Sequence, residues 1–190
     1  MGDDAPDWGR EIDALRRSIL RDLTGDMEPG VCADLGCGTG LFAIDMADAG
    51  WTVHALDARA RDWPDHPRVT FTVQDVRDVA LAKMKPDLVL CLGLFYHLEL
   101  ADQLALLKKC KGVPLILDTH VSAANGVTER GFEGHCYGEP PGILSSFGND
   151  TSFWPTLDSL RKMLKAAGYK SVTPLEPWYH GDRTFFTCQP

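Results

Sequence analysis

Three glycines at alternate positions, Gly36, Gly38 and Gly40, follow Asp34 in the stretch "VCADLGCGTGLFAIDMA", residues 31–47. An apolar run stands before them and a segment of helical spacing after them. Glycine lets the backbone turn tightly and approach a flat ligand with no side chain in between. A turn that serves only the fold needs one such residue, or two. Three of them beside a carboxylate mark a ligand site. Two more carboxylates, Asp57 in "VHALDAR" and Asp75 in "FTVQDVRD", end or follow apolar runs. A carboxylate so placed can accept two hydrogen bonds from a vicinal diol, or it can cap the turn that follows.

The spacing narrows the ligand. A dinucleotide fingerprint reads G-x-G-x-x-G and sets a pyrophosphate on a helix N-terminus. Here the spacing is G-x-G-x-G, and Asp34 would repel a pyrophosphate while suiting a ligand ammonium. Histidine and tyrosine supply the remaining chemistry. Tyr96 and His97 follow one apolar run and His120 follows the next. An imidazole, with an ordinary pKa of about 6.5, suits proton removal at neutral pH; holding a loop or packing on a ring is the plainer role. Asp118, His120, His97 and His135 could be weighed as metal ligands. Three histidines would suit zinc or ferrous iron better than magnesium. With no tight ligand spacing, no metal is expected.

These residues need elements to position them. Short apolar runs at 31–35, 52–57, 69–73, 87–92 and 113–118 read as strands, with helix-like stretches at 40–49, 77–84 and 98–110 between them. Near-continuous hydrophobicity in the strands predicts burial on both faces, hence a parallel sheet between helix layers. Trp8, Ile12, Leu15, Ile19 and Leu23 predict an amphipathic N-terminal helix over 8–23. A helix at 157–167, stopped by Gly168, and two strands near 170–175 and 183–188 close the chain. Residues 121–155, rich in Gly, Pro, Ser and Asn, read as one long irregular insertion, lid-like in its size and place. In an open parallel sheet, ligands bind beyond the carboxyl ends of the strands. Asp34, Asp57, Tyr96 and His120 all fall there.

In register along the chain, "ADLGCGTG" resembles the first motif of the class I S-adenosylmethionine-dependent methyltransferases. "VHALDAR", "FTVQDVRD" and "PDLVLCLGLFYHL" resemble the segments that follow it in that family. The resemblance covers about residues 30–175. It implies a Rossmann-like three-layer α/β/α fold with a seven-stranded, mostly parallel sheet whose last strand runs antiparallel. It also implies that S-adenosyl-L-methionine is the cofactor. The first motif would contribute Asp34, Gly36, Cys37, Gly38 and Gly40. Asp57, with Ala58 beside it, would hold the ribose hydroxyls. Asp75 and the Val76 backbone would read the adenine, and Leu92 would lie at the end of the fourth strand beside the transferred methyl. His97, Tyr96 and His120 are then the catalytic candidates. His135, Tyr137 and Trp154 would contact the acceptor from the insertion, whose aromatic surface suits an apolar ring.

Bulk properties set limits. With 190 residues the chain suits a single domain over 1–190. A net charge of -8 argues against bulk attraction to nucleic acid or an anionic membrane. Arg59, Arg61 and Arg68 read as a solvated loop. Six cysteines without a CxxC suggest reduced thiols. No signal-like or membrane-spanning run is visible, so a cytoplasmic location is expected. The loop after the fourth strand is not the [DN]-P-P-[YF] that grips a planar amine, and no P-C dipeptide is present. The expected acceptor is therefore a small metabolite or natural-product intermediate rather than DNA. Residues 151–170 resemble part of enzymes that modify tRNA, but tRNA is not the expected partner. A homodimer that builds its pocket from two chains stays open. So do ring closure of the cofactor with release of methylthioadenosine, and a non-catalytic cofactor-binding scaffold.

Overall fold

The computed structural model of the chain describes residues 8–123, 126–142 and 145–190. Helix α1 (Trp8–Thr24) precedes β1 (Val31–Leu35), α2 (Leu41–Asp48), β2 (Thr52–Asp57) and β3 (Val69–Val73). A 3-10 turn at Val76–Asp78 and the short α3 (Leu81–Met84) lead to β4 (Leu88–Leu92). A second 3-10 turn at Phe95–His97 and α4 (Leu100–Lys109) lead to β5 (Leu115–His120). There follow β6 (Val127–Glu129), β7 (Phe132–Gly138), β8 (Thr151–Pro155), α5 (Leu157–Ala167), β9 (Ser171–Pro174) and β10 (Arg183–Gln189).

Seven strands form the main sheet in the order β3-β2-β1-β4-β5-β10-β9. The strands from β3 to β5 pair parallel, and β10 runs antiparallel to both β5 and β9. This is the expected Rossmann-like sheet with an antiparallel last strand. Every residue of β4 is buried, as its unbroken apolar run requires of a central strand. Side chains alternate across the sheet, so two cores form. Ala33, Val89 and Leu117 face Leu106, Leu160 and Met163 of α4 and α5. Cys32, Leu90 and Ile116 face Leu20, Phe42 and Met46 of α1 and α2.

Four details differ from the sequence reading. The insertion is not irregular throughout, because β6, β7 and β8 form a three-stranded antiparallel sheet. The run "FEGHCYG" of β7 carries too few apolar residues to announce a strand. Phe153 of β8 ties this sheet to the core beside α4 and α5, and its N–H donates to the Leu98 carbonyl. Strand β3 is half exposed, as an edge position allows. The stretch 77–84 breaks into two short pieces rather than one helix. The apolar stripe foreseen on α1 is also rotated. Ile12 and Leu15 are exposed while Arg16 is buried, because Arg16 reaches Asp118 and Arg17 reaches Asp45. The side chain of Trp8 lies outside the described residues.

Candidate active site

The loop after β1 is fastened by its own backbone. Gly36 and Cys37 both donate to the Leu56 carbonyl at 2.8 Å, which ties the loop to the end of β2. Gly38 donates to Asp57 Oδ2 at 2.9 Å, and Arg59 N donates to Asp57 Oδ1 at 2.8 Å. The conformation needs glycine at two points above all. Gly40 has φ +85° and a Cβ there would meet the Phe71 ring at 2.7 Å. Gly38 has φ +54° and a Cβ there would meet nothing, so the loop's open side faces a cleft. Trp63 stacks on Phe71 and donates its indole N–H to the Gly38 carbonyl.

The cleft has a volume of about 700 Å³ including its mouth, and Gly36, Gly38, Asp57, Ala58, Asp75, Val76, Leu94 and His97 are among its walls. Asp34, at the end of β1, is buried, and its Oδ2 has no hydrogen-bond partner. Burial, with a smaller push from the Asp57 charge, raises its pKa to about 7 against the pull of Arg16. Asp75 behaves differently. It accepts from Arg77 N at 2.9 Å and pairs with the Arg77 guanidinium, which outweighs burial and holds it below the usual carboxylate range. Within the loop, Cys37 is a wall of a second cleft described below, and Gly40 packs toward Phe71. Burial pushes the Cys37 thiol far up, so it is a packed group and not a nucleophile.

Ser145, Ser146 and Phe147 of the insertion close one side of this cleft. Arg59 donates to the Ser146 carbonyl at 2.8 Å and lies over the Phe147 ring. Arg77 donates to the Phe147 carbonyl. Asn149 donates to the His97 carbonyl at 3.0 Å. Glu139 gathers Ser146 N on one oxygen and His97 Nδ1 on the other, both at 3.0 Å. Burial would raise the Glu139 pKa, but these donors hold it below its ordinary value. Arg59 and Arg61 are thus walls of the cleft rather than a solvated loop, whereas Arg68 is exposed and donates to Gly50.

A second cleft opens beyond the glycine loop, bounded by Asp13, Arg16, Phe42, Leu92, Tyr96, His97 and Arg183. His97 stands in the walls of both. Beneath it, Asp118 of β5 is fully buried. It accepts from Arg16 at 2.9 Å, from Arg183 at 2.8 and 2.7 Å, and from Tyr179 at 2.7 Å. Burial alone would raise its pKa; the two guanidiniums prevail and keep it ionised. Arg183 also donates to the Tyr96 hydroxyl at 3.2 Å, and Arg16 to the Leu92 carbonyl. Tyr96 touches His97, His120 and Trp154. Trp154 lies flat on His120 at 4.3 Å and against Tyr137, which in turn meets His135. His120, Trp154, Tyr137 and His135 therefore form a row leading away from Tyr96, and none of them is a wall of either cleft. Sequence reasoning missed Arg16, Glu139 and Arg183. Each is an ordinary charged residue in its own segment, and only the fold brings it to the site.

An open sheet of this order, with a glycine loop after β1 and carboxylates at the ends of β1 and β2, is that of the Rossmann-like class I methyltransferases. Residues 32–113 match the family described as methyltransferase domain. That match runs from β1 through α4 and takes in the glycine loop, Asp57 and Asp75. Among curated proteins none matches the sequence. Solved structures share the fold at low identity. The N-terminal domain of EvdMO1 with SAH bound is 21% identical with a TM-score of 0.76, covering 93% of this chain and 79% of that one. The 1,6-didemethyltoxoflavin-N1-methyltransferase of Burkholderia thailandensis is 18% identical with a TM-score of 0.65, covering 95% and 81%. The glycopeptide N-methyltransferase MtfA is 17% identical with a TM-score of 0.62, covering 92% and 93%.

The residues present would fit S-adenosylmethionine. The orphaned Asp34 Oδ2 suits a cationic aminoacid arm. Each Asp57 oxygen accepts a single backbone N–H and retains a lone pair for a ribose hydroxyl. The open side of Gly38 leaves room for the backbone to approach. No described helix is long and apolar enough to cross a membrane.

Proposed function

We propose that this enzyme methylates a small-molecule acceptor held in the cleft between Arg16, Tyr96, His97 and Arg183. The observation that carries this reading is His97. It stands where the two clefts meet, with Nδ1 held by the buried end of Glu139 at 3.0 Å and Nε2 left for another partner. Bound S-adenosylmethionine supplies a methyl group on a sulfonium, open to in-line attack by a nucleophile. The chain's own task is to hold the partners in line and to take a proton from the acceptor. Asp57 and the backbone after β1 fix the nucleoside end, with Asp75 and Val76 at the base edge and Leu92 beside the methyl. Ser145, Ser146 and Phe147 cover that side. The Glu139 carboxylate fixes the tautomer and orientation of His97, so that Nε2 can accept the acceptor's proton. Tyr96 stands beside His97, with its hydroxyl oriented by Arg183. Trp154, Tyr137 and His135 continue the acceptor side outward, and His120 links them to Tyr96.

Small acceptors are also what some of the likenesses carry. The Burkholderia enzyme was solved with 1,6-didemethyltoxoflavin, and the EvdMO1 domain was crystallised in the presence of D-fucose. The test begins with the purified chain and S-adenosylmethionine alone, followed by mass spectrometry of the nucleosides. The cofactor should remain intact, and S-adenosylhomocysteine should appear only when a metabolite extract is added. Methylthioadenosine formed without any acceptor would replace this reading with ring closure of the aminoacid arm. Binding without turnover across broad extracts would leave a cofactor-holding scaffold.

A further inference from the structure

The end of β5 and the turn before β10 bring together three side chains that the methyl-transfer reading leaves without a joint task. β10 pairs with β5 so that Arg183 lies opposite His120, which sets Asp182 just beyond it. A tight turn, with His180 and Arg183 bonded through both backbone groups, places His180 and Asp182 on either side of Gly181. Val121 N donates to the Asp182 carbonyl at 2.8 Å and fixes the turn against β5. The result is one carboxylate oxygen, Asp182 Oδ1, at 2.8 Å from His120 Nδ1 and 3.0 Å from His180 Nδ1. The three ligand atoms all lie within 4.8 Å of one another.

We propose that His120, His180 and Asp182 form a binding site for a divalent transition-metal ion, behind Tyr96 and outside the acceptor cleft. Two imidazole nitrogens and one carboxylate on one side of an ion form a facial set that suits ferrous iron, manganese, cobalt or zinc, and leaves positions open for water. All-oxygen sites suit magnesium and calcium instead. Bonds of about 2.1 Å to a common ion set ligand atoms roughly 3.4 Å apart. The present hydrogen bonds therefore need to open by only about half an ångström. The proton on each ligating nitrogen would move to the far nitrogen of its ring, so neutral histidines bind without net proton loss. His120 is already oriented, stacked on Trp154 at 4.3 Å and met by the edge of Tyr96 at 4.5 Å. Through Tyr96 the ion would stand one ring away from the acceptor cleft. The other residues weighed as ligands from the sequence are engaged elsewhere. Asp118 is held by two arginines and His97 by Glu139, and His135 lies at the far end of the aromatic row. Spacing in the sequence gave no hint, because His120 stands 60 residues or more from its partners.

The test is a titration of tag-free protein with Co²⁺, read by the visible ligand-field absorption of the bound ion. The native chain should take up one equivalent saturably and release it to Zn²⁺. His180→Ala and Asp182→Ala change groups that reach solvent, so the fold should survive. Each should weaken Co²⁺ by 30-fold or more, since even outer-sphere changes cost about 10–100-fold in metal affinity. No saturable absorption in the native chain would overturn the proposal. So would a His180→Ala protein that titrates like the native one, which would leave Asp182 as a hydrogen-bond partner of His120 alone.

Discussion

At the ends of β1, β2 and β3 the cleft is built from backbone turns and from carboxylates that sit within a few residues of those turns. At the ends of β4 and β5 it is built from side chains that arrive from distant parts of the chain. Asp57 accepts backbone N–H groups from Arg59, two positions on, and from Gly38, 19 positions back in the neighbouring strand's loop. Asp118 instead accepts from Arg16 of α1, from Arg183 of β10 and from Tyr179. On the proposed reading the first half takes the cofactor, for which short stiff turns suffice. The second half must suit one acceptor, and long side chains from separate elements can be exchanged without disturbing the turns. If this contrast is right, lesions in the first half should strike affinity for the cofactor, and lesions in the second should strike folding or turnover.

The largest effect should come from Asp118→Ala. It would leave the guanidiniums of Arg16 and Arg183 buried without their carboxylate, and removing one partner of a buried ion pair typically costs about 3–5 kcal/mol. Urea unfolding should show that loss. Unchanged stability would mean that α1 and β10 do not depend on the cluster, and the contrast between the halves would fail. Next is His97→Ala, expected to lower turnover of an identified acceptor by about 10²-fold while affinity for S-adenosylhomocysteine stays within about threefold. A near-normal rate would make His97 a packing residue and leave Glu139 as a latch for residues 139–150. Asp57→Ala tests the other half. It should weaken S-adenosylhomocysteine by roughly 1.5–3 kcal/mol through lost charge-assisted hydrogen bonds, read by titration calorimetry. Unaltered affinity would misplace the ribose.

The same contrast explains what could be read from the sequence. The glycine loop, Asp34 and Asp57 were legible because their meaning lies in spacings of a few residues at strand ends, where local geometry decides. The sheet was legible because its central strands are apolar without interruption. The rotation of α1 was not, since periodicity counts Ile12 and Leu15 as inward and cannot weigh an Arg16 drawn to a carboxylate 102 positions away. Glu139 escaped for a related reason: it lies in a polar stretch of the insertion, and its pairing with His97 exists only after β7 and β8 fold back over the 3-10 turn at Phe95–His97. The small sheet within 127–155 was hidden by glycines and polar residues in β7.

Asp34 gives the smallest effect and the one that probes the junction of the two halves. Burial raises its pKa to about 7, with Asp57 adding to the rise and Arg16 opposing it. A carboxyl that holds its proton more tightly when folded than when unfolded makes the folded state bind more protons between the two pKa values. Stability must then fall as pH rises from about 4 to about 7, and level off above. The paired carboxylates Asp75, Glu139 and Asp182, whose pKa values are lowered, act below that window, where their stabilisation is lost as pH falls. Asp34→Asn should therefore flatten the decline between pH 5 and 8, and stabilise the cofactor-free protein at pH 8 by about 1 kcal/mol or more. On the proposed reading the same change should weaken S-adenosylhomocysteine, whose ammonium the ionised carboxylate would partner. In the native chain, affinity should rise several-fold from pH 6 to pH 8, and in Asp34→Asn it should not. A variant that is both more stable and equally tight in binding would show that the ammonium is held elsewhere. Arg16, which reaches the Leu92 carbonyl beside the glycine loop, would then belong to the cofactor's half of the cleft rather than to the acceptor's.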